Sequence, residues 1–322
     1  MVSTENLVNP VAVLTGPTAS GKSALALEFA LQANSDRGIS IEIINADSLL
    51  FYRGLDIGTA KPSPEERARI PHHLIDICDP GEEFTAADFS RAALEKIREL
   101  QARNIRSLVV GGSGFYLKAL LFGLWNAPKA DPAVRERLEK LSNVELYSML
   151  QNAYGSNPIP FSANNRYRVM RFLEIIEQTG KTPLQLESEM PPQPHEGFSL
   201  LVIDRNRSAL LTRIQCRIHK MLEQGLLDEV RTLSEKYPDA RQLQSVGYQQ
   251  CQAFFSGNTP IGRKLAEGQA GLVDEIEIAT RQLVKKQRTW FRSQKAAEFF
   301  ELDQDRELLF ERLWAIYDKI KK

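Results

Sequence analysis

Residues 16–23 contain the pattern that most constrains the fold of this chain, a complete GxxxxGK[ST] phosphate-binding loop. The loop follows the apolar run Val11–Thr15 and leads into the helical stretch 24–30, which is the strand, loop and helix context that the motif requires. Backbone N–H groups of such a loop converge on an anion, and the start of the helix adds partial positive charge. The sequence therefore predicts a pyrophosphate-binding site formed by Gly16, Pro17, Thr18, Ala19, Ser20, Gly21, Lys22 and Ser23. Lys22 supplies a full charge, and Ser23 offers a hydroxyl to Mg²⁺.

Short apolar runs alternate with helical patterns over the first 125 residues, and an apolar run returns after residue 197. The predicted strands cover residues 11–15, 39–45, 73–77, 107–110 and 200–204. Near-continuous apolar strands are typical of a parallel sheet that is covered on both faces. Residues 84–103 carry apolar side chains at helical spacing, with Thr85 as a candidate N-cap, and predict a crossover helix. The fold class is α/β, with a parallel P-loop sheet and helices on both faces.

The alternation stops after Trp125. Residues 126–190 show no convincing strand, and helices are predicted to begin at Asp131–Pro132 and near Asn164, the second ending at Gly180. We expect an all-helical insertion domain over 126–190, followed by a breaker-rich linker, with the α/β core formed by 1–125 and 198–322. From Arg207 to the end the pattern is helical, with loops at 237–238 and 256–262.

Charge and composition exclude several classes of protein. With 41 basic and 41 acidic side chains the net charge is zero, so nucleic-acid binding would need local clustering of charge. The three cysteines stand in no disulfide or metal-ligand spacing, which fits a reducing compartment. No signal-peptide pattern and no bilayer-spanning apolar run are present. We expect a cytoplasmic protein without a membrane partner; the near-equal charges and the absence of heptads give no signal for an oligomer, and a monomer is expected.

Asp47 follows the second predicted strand directly. Because ligands of parallel sheets bind at the carboxyl ends of the strands, Asp47 should project into the crevice that holds the phosphate loop. From the residues alone, Asp47 is equally well interpreted as a general base or as the N-cap of a helix over 48–52, and the two roles are compatible. Asp76 and Asp79 are candidate metal ligands, but loop capping explains them at least as well. The GTPase motif NKxD is absent.

Eight motifs along the chain together carry a resemblance to a known family. They are GPTASGKS at 16–23, NADS at 45–48, DIGTAKP at 56–62, VVGGSGFYLKALLFG at 109–123, ADPAVR at 130–135, GKT at 180–182, VGY at 246–248 and ATRQLVKKQRTWFR at 279–292. In this order and spacing the chain resembles the bacterial tRNA dimethylallyltransferase family over nearly its whole length.

The resemblance implies an activity, a metal ion and partners. Members of the family transfer a dimethylallyl group from dimethylallyl diphosphate to N6 of the adenine 3′ of the anticodon, position 37, in tRNAs that read codons beginning with U, and they release pyrophosphate. It implies that Asp47 is the general base, that Lys22, the loop and Mg²⁺ stabilise the departing diphosphate, and that Ser113, where the family usually has Thr, offers a hydroxyl on the substrate side.

The resemblance also implies which residues touch the anticodon stem-loop of tRNA, with the 126–190 insertion domain contributing some of them. These residues are Asp47, Ser48, Leu49, Leu50, Ser113, Arg135, Tyr167, Arg168, Arg171, Val246, Gly247, Tyr248, Lys285, Lys286, Gln287, Arg288, Trp290 and Arg292. Some relatives carry Arg where this chain has Gln244, so a phosphate contact there is lost or moved to Arg241.

Local clustering of charge gives independent support for an RNA partner. Residues 279–295 contain six basic side chains and no acidic ones, and Arg281, Lys285, Arg288, Arg292 and Lys295 share one helix face. Further groups are Arg166, Arg168 and Arg171, and Arg135 and Arg137. A solvated face is the competing interpretation of each cluster. Arg213 and Arg217 lie four residues apart and either reach the diphosphate or form helix-surface salt bridges.

Three other functions remain open on the sequence. The first is a P-loop small-molecule kinase in which the helical insertion is a lid. The second is a nucleotide-dependent RNA-binding module without prenyl chemistry, and the third is a prenyltransferase that acts on free adenine nucleotides. The full-length insertion and the basic helix favour a macromolecular acceptor.

Overall fold

The computed structural model describes residue 7 and residues 9–125, 127–258 and 267–318. Residue 126, where the insertion is predicted to begin, and residues 259–262 of the predicted loop 256–262 lie outside this part. The chain forms two compact units, a core unit of residues up to Leu121 and from His195 onwards, and a helical unit of residues Phe122–Pro194.

Six strands of the core unit are described, and they form one parallel sheet. They are β1 (Val11–Thr15), β2 (Ile41–Asn45), β3 (His72–His73), β4 (Arg106–Gly111), β5 (Phe198–Asp204) and β6 (Glu298–Glu301). Their order is β3-β2-β4-β1-β5-β6, and every neighbouring pair is parallel. Val13 of β1 pairs with Val109 on one side and Leu200 on the other. The loop after β1 therefore emerges near the middle of the carboxyl edge, where ligands of such sheets bind.

Helices follow the strands in the order that an α/β fold requires. The first four are α1 (Lys22–Arg37), α2 (Pro64–Arg69), α3 (Ala86–Ala102) and α4 (Gly114–Phe122). The helical unit then contributes α5 (Pro132–Glu139), α6 (Asn143–Tyr154), α7 (Arg166–Thr179) and α8 (Pro183–Glu189). The remaining helices are α9 (Arg207–Glu223), α10 (Leu226–Lys236), α11 (Tyr248–Phe255), α12 (Gly268–Arg292) and α13 (Arg306–Asp318).

Both faces of the sheet are covered. All five residues of β1 are buried. Because successive side chains of a strand point to opposite faces, both faces must be covered at β1. On one face, α1 and α13 pack together through the Phe29 ring, whose centroid lies 4.6 Å from that of Trp314 and 5.5 Å from that of Phe310. The predicted fold class, a parallel sheet with helices on both faces, is confirmed.

Local sequence signals place several helix ends where they were predicted. Thr85 caps α3 in a capping box with Asp88, and each residue bonds a backbone N–H of the other. In the helical unit, Asp131 caps α5, Asn165 caps α7, and Gly180 ends α7 with a left-handed φ of 69°.

The structure differs from three sequence predictions. The strand predicted at 73–77 is only His72–His73, because Leu74 and Asp76 adopt left-handed φ values of 58° and 57° and turn the chain out of the sheet. The region after Arg207 is not entirely helical, since Glu298–Glu301 forms β6 beside β5. The helical unit has two further helices, α6 and α8.

The helical unit has its own apolar core. Its buried members come from α5, α6 and α7 and are Leu138, Leu146, Leu150, Tyr154, Val169, Met170 and Leu173. The chain leaves the core unit at Leu121 and returns at His195, whose N–H donates to the Leu121 carbonyl at 2.9 Å. In the described ranges, no helix combines the length and the apolar character of a membrane span.

Candidate active site

The phosphate loop connects β1 to α1 and is closely packed against β5. A Cβ on Gly16 would lie 2.1 Å from the carbonyl oxygen of Ile203, so only glycine fits at this position. Gly21 has a left-handed φ of 101°, and Ala19 adopts φ 63°, which is a strained conformation for alanine. The loop is thus held in a specific curled shape by its contact with β5 and by its own backbone conformation.

Three arginines hold the outer side of the loop. They donate to consecutive loop residues: Arg217 to Thr18 Oγ1 at 3.2 Å, Arg213 to the Ala19 carbonyl at 2.8 Å, and Arg205 to the Ser20 carbonyl at 2.9 Å. Arg213 and Arg217 therefore bind the phosphate loop and, among the described residues, do not form the helix-surface salt bridges considered from sequence. Arginines thus occupy the Ala19 and Ser20 carbonyls, and the N–H groups that remain for an anion are those at the start of α1, where a helix has no internal acceptors.

Gln287 of α12 fixes the loop from the other side. Its Oε1 accepts the Thr18 N–H at 2.9 Å, and its Nε2 donates to the Gly112 carbonyl at 2.9 Å. The sequence predicts Gln287 as a tRNA contact, but the structure places its amide between the phosphate loop and the glycine segment after β4.

Lys22 lies at the centre of the site. Its Nζ is 3.4 Å from where a Cβ of Gly112 would be, so the glycine makes room for the amine. Burial lowers the pKa of Lys22 to about 8, while the nearby Asp47 charge raises it and Arg217 lowers it further. An anion bound in the loop would restore the protonated form.

Asp47 follows β2 at the same edge of the sheet. The buried Asn45 side chain accepts the Asp47 N–H at 2.8 Å and donates to the Asp47 carbonyl at 3.0 Å. Asp47 Oδ1 accepts the Leu49 N–H at 3.1 Å and so caps a turn. No helix follows over residues 48–52, so the role of Asp47 as a helix N-cap was wrong. Ser48, Leu49 and Leu50 are half-buried in that turn.

Ser113 joins the β4 segment to the β2 segment. Its Oγ accepts the Ser48 N–H at 2.9 Å and donates to the Ser48 hydroxyl at 3.2 Å. The two segments touch because a Cβ on Gly111 would lie 2.2 Å from the Ala46 carbonyl. In sheet order, β2, β4 and β1 therefore carry Asp47, Ser113 and the phosphate loop side by side.

Trp290 of α12 covers the start of α4. A Cβ on Gly114 would lie 2.6 Å from the indole ring, so the glycine permits this contact. Trp290 also meets the buried Phe291 ring edge-to-face, with centroids 5.4 Å apart. Trp290 remains half-exposed, whereas the Phe291 side chain is part of the core.

The basic face of α12 lies partly along a groove between α9 and α12 with a volume of about 620 Å³. Exposed Arg281, Lys285 and Arg292 line it, while Lys286 is exposed outside it. Arg288 differs from them: its guanidinium binds both Asp204 oxygens, at 2.7 and 2.8 Å, at the end of β5. The Arg288 side chain is thus engaged in a bidentate ion pair with the protein rather than presented to solvent.

Arginines of the helical unit are divided in the same way. Arg135 and Arg171 both pair with the fully buried Glu174, at 2.6 and 3.1 Å. This buried carboxylate needs both partners, so the two arginines have a structural function inside the unit. Arg168 and Tyr167 are exposed.

The Val246–Tyr248 segment does not present its aromatic ring to a ligand. Tyr248 is completely buried, and its hydroxyl donates to Glu229 Oε1 at 2.6 Å. The prediction that the Tyr248 side chain contacts RNA is therefore wrong, because the ring packs inside the core unit. Gly247 is buried with φ 96°, and Val246 is half-buried.

The residues around the loop fit a bound Mg²⁺ of the kind that relies on phosphate oxygens and water. No cluster of three acidic, histidine or cysteine side chains is found in the described ranges. Ser23 is exposed in the first turn of α1, and Ser20 Oγ is buried without a hydrogen-bond partner in the loop. Mg²⁺ keeps several waters and needs few protein ligands beside phosphates. Asp76 pairs with Lys61 and Arg67, and Asp79 with Arg53, so both have structural partners.

Two residues of the site were missed from the sequence. Arg205 follows β5 immediately, so the rule that places ligands at strand carboxyl ends could have indicated it. Glu229 lies in the first turn of α10, where an acidic residue is ordinary, and no sequence signal distinguishes it.

Comparison with known proteins shows the family of the chain. A family model described as IPP transferase matches residues 50–294. The tRNA dimethylallyltransferase 1 of Citrifermentans bemidjiense is 40% identical over 284 residues, covering 87% of this chain and 88% of the relative. The crystal structure of the full-length tRNA isopentenylpyrophosphate transferase from Bacillus halodurans has a TM-score of 0.66 and 30% identity, covering 97% of this chain and 98% of the other.

A solved structure of a eukaryotic dimethylallyltransferase acting on tRNA shares the fold, with a TM-score of 0.78 at 23% identity, and covers 96% of this chain and 79% of that chain. The family match covers most of the chain, and it includes Ser113, Gln287 and the basic face of α12. The chain therefore belongs to the IPP transferase family and is a prenyltransferase.

Proposed function

We propose that this protein transfers a dimethylallyl group from dimethylallyl diphosphate to N6 of adenine 37 in tRNAs that read codons beginning with U, and releases pyrophosphate. The observation that carries the proposal is the placement of Lys22, Asp47 and Ser113 on three neighbouring strand ends. The names of the relatives support tRNA as the acceptor. The enzyme acts as a cytoplasmic monomer.

The phosphate loop holds the leaving group. Breaking the allylic C–O bond places negative charge on the departing diphosphate, and we expect Lys22 and the N–H groups at the start of α1 to stabilise it. Arg217 adds a second positive charge beside Thr18. Mg²⁺ bound to the Ser23 hydroxyl would supply further positive charge to the diphosphate.

Asp47 acts on the acceptor. The exocyclic amine of adenine is a weak nucleophile because its lone pair is delocalised into the purine, so it must lose a proton as the N–C bond forms. Asp47 accepts this proton, and the Ser113 hydroxyl, fixed by the Ser48 N–H, orients the amine. The adenine must leave the anticodon-loop stack to reach them.

RNA contacts come from exposed basic side chains of each unit. In the core unit these are Lys285, Lys286 and Arg292, with half-exposed Trp290 as a stacking surface. In the helical unit, Arg168 and Tyr167 are the exposed members of the family's contact set. Arg135, Arg171 and Arg288 support these surfaces through their carboxylate partners.

Charge reversal of Lys285 and Arg292 to Glu should weaken tRNA binding and flatten its salt dependence by about one unit of slope per lost phosphate contact. Pyrophosphate binding should be unchanged. The measurement is filter binding at several salt concentrations. Arg288 is left intact, because its reversal would place a carboxylate beside Asp204 and destabilise the fold.

The matched control reverses Arg91 and Lys96 on α3, two cations that pair with neighbouring carboxylates at i, i+3. That variant should keep the wild-type slope. An equal loss of slope in both variants would mean that the effect is one of net charge, and an unchanged slope in the first would make the basic face a solvated surface.

The function itself is tested by incubating the protein with labelled dimethylallyl diphosphate and Mg²⁺, without ATP, and with either unmodified tRNA or AMP. Label should pass to tRNA and not to AMP. A small-molecule kinase would transfer nothing, an RNA-binding module would release no pyrophosphate, and a free-nucleotide prenyltransferase would label AMP.

A further inference from the structure

Glu229 is a carboxylate of α10 around which four hydrogen-bond donors converge. Its Oε2 accepts the N–H groups of Asp56 at 3.0 Å and Ile57 at 2.7 Å. Its Oε1 accepts the Gly58 N–H at 3.0 Å and the Tyr248 hydroxyl at 2.6 Å. One side chain thus binds three consecutive backbone amides, as an anion does when it is bound by a loop.

Tyr248 completes this anchor from α11. The Tyr248 ring packs so closely on Gly58 that an added Cβ would lie 2.6 Å from it. Burial, and then the negative charge of Glu229, hold the pKa of the Tyr248 phenol far above its usual value, so the hydroxyl remains a donor. Gly58 is therefore fixed both by its N–H group and by the ring that covers it.

The residue after Gly58 connects the anchor to the phosphate loop. The Thr59 carbonyl accepts Arg217 Nη2 at 3.1 Å, and Nη1 of the same guanidinium donates to Thr18 Oγ1 at 3.2 Å. The contacts run from Glu229 to Gly58, from Thr59 to Arg217, and from Arg217 to the phosphate loop. Arg217 is held on one side by Thr59 and on the other by Thr18.

Residues 55–61 form the loop that carries the three amides bound by Glu229, and the end of this loop has a separate attachment. Lys61, whose side chain is 4% exposed, donates to the Tyr52 carbonyl at 2.8 Å and pairs with Asp56 at 2.6 Å and Asp76 at 2.5 Å. Loss of the Glu229 bonds should therefore loosen the part of the loop around residues 57–59 without releasing its end. We therefore expect a local change that reaches Arg217 through its hydrogen bond to the Thr59 carbonyl.

We infer that Glu229, together with Tyr248, is a positioning residue that holds loop 55–61 so that the Thr59 carbonyl fixes the Arg217 guanidinium for the diphosphate. The inference rests on the proposed function, because it takes the anion of the phosphate loop to be a diphosphate. It gives the VGY motif a role inside the protein in place of an RNA contact.

The test uses Glu229→Gln and Tyr248→Phe with inorganic pyrophosphate as the probe, measured by calorimetry. Glutamine has one acceptor oxygen and brings an NH₂ group towards the amides, so pyrophosphate affinity should fall about tenfold or more, the effect of losing a charged hydrogen bond. Tyr248→Phe removes one of four donors and should give a smaller loss of the same kind.

Two comparisons separate positioning from general stability. In an Arg217→Met background the loss caused by Glu229→Gln should disappear, because the mutations then affect one shared contact. The matched control is Tyr317→Phe, which removes a buried hydroxyl bonded to the Ser107 carbonyl at 2.8 Å. That control should lower the melting temperature without changing pyrophosphate affinity.

The inference is overturned if the loss from Glu229→Gln persists in full beside Arg217→Met, or if the anchor variants lower the melting temperature yet bind pyrophosphate as the wild type does. Should Glu229→Gln fail to fold, Tyr248→Phe in the two backgrounds decides the question by the same criteria. Failure of the proposed function has a different signature, in which the wild-type protein binds pyrophosphate but transfers no label from dimethylallyl diphosphate to tRNA.

Discussion

Replacement of Asp47 by Asn should reduce single-turnover prenyl transfer by about 10²–10⁴-fold while the free energy of unfolding changes by only a few tenths of a kcal/mol. The amide oxygen of Asn can still accept the Leu49 N–H that Asp47 accepts at 3.1 Å. It cannot accept the proton of the adenine amine. Activity and stability should therefore separate in this variant.

The comparison needs one precaution and one control. The Asp47 charge acts on Lys22 and Arg217, so the amide variant is best measured with pyrophosphate or substrate bound, when the anion balances these cations. The control is Asp79→Asn, the same chemical change at an aspartate that pairs with Arg53 outside the site. It should keep wild-type activity.

Thermal denaturation, tRNA binding and transfer should be measured on one preparation of the Asp47→Asn protein. A transfer rate within about threefold of wild type would exclude Asp47 as the general base. Loss of activity matched by loss of stability would assign Asp47 to the turn alone.

The second large effect is expected for Lys22→Ala, with a loss of about 10²–10³ in single-turnover rate, or roughly 2.7–4 kcal/mol of transition-state stabilisation. The fold should persist, because burial disfavours the charged amine in the absence of an anion. Lys96→Ala on α3, which removes a surface cation paired with Glu99, is the matched control. An unchanged rate in Lys22→Ala would refute the role of Lys22 at the leaving group.

The pH dependence of pyrophosphate binding tests the same residue. The pKa of Lys22 is lowered to about 8, so the amine is protonated below that pH and becomes neutral above it. Binding then requires uptake of a proton, and the dissociation constant should rise above pH 8, approaching tenfold per pH unit. Calorimetry with a chelator present removes the contribution of Mg²⁺. In Lys22→Ala this rise should be absent.

The parts of the fold that could be predicted are those fixed by local sequence. The apolar run of β1, the loop pattern after it and the Thr85 cap each follow from residues close together in the chain. Two helices of the helical unit, α6 and α8, could also have been predicted from the sequence. Capping boxes at Ser142 with Glu145 and at Thr182 with Gln185 were present in the sequence before α6 and α8.

Other features depend on partners far along the chain. β6 is a four-residue strand whose pairing with β5 bridges about one hundred residues, and its sequence alone does not distinguish it from a loop. β3 ends early because the chain turns at Leu74 and Asp76, and Asp76 then pairs with the distant Lys61. Arg288 fits a basic helix face by spacing, but its pairing with Asp204 needed the sheet to be in place.

In the candidate site, too, some residues could be predicted from local sequence and others depend on partners far along the chain. The phosphate loop and Asp47 were predicted because motifs at strand ends converge at one edge of a parallel sheet, whereas Ser113 was indicated only by the resemblance to the family. The actions of Arg205, Glu229 and Gln287 on backbone groups could not be predicted, since any residue supplies a carbonyl or an N–H. Residue type therefore indicates which chemistry a site can perform, and the tertiary structure determines which side chains hold its backbone in place.

The hydrogen bond between His195 and Leu121 has an evolutionary consequence. The chain leaves the core unit at Leu121 and re-enters it at His195, and these two residues are hydrogen-bonded neighbours in space. The segment between them therefore closes a loop whose two ends are already fixed side by side. The entropy of such a closure changes only slowly with length, and insertions or deletions between the two residues leave the path of the core unchanged. Gain, loss and exchange of this helical segment among relatives can therefore proceed without redesign of the catalytic sheet.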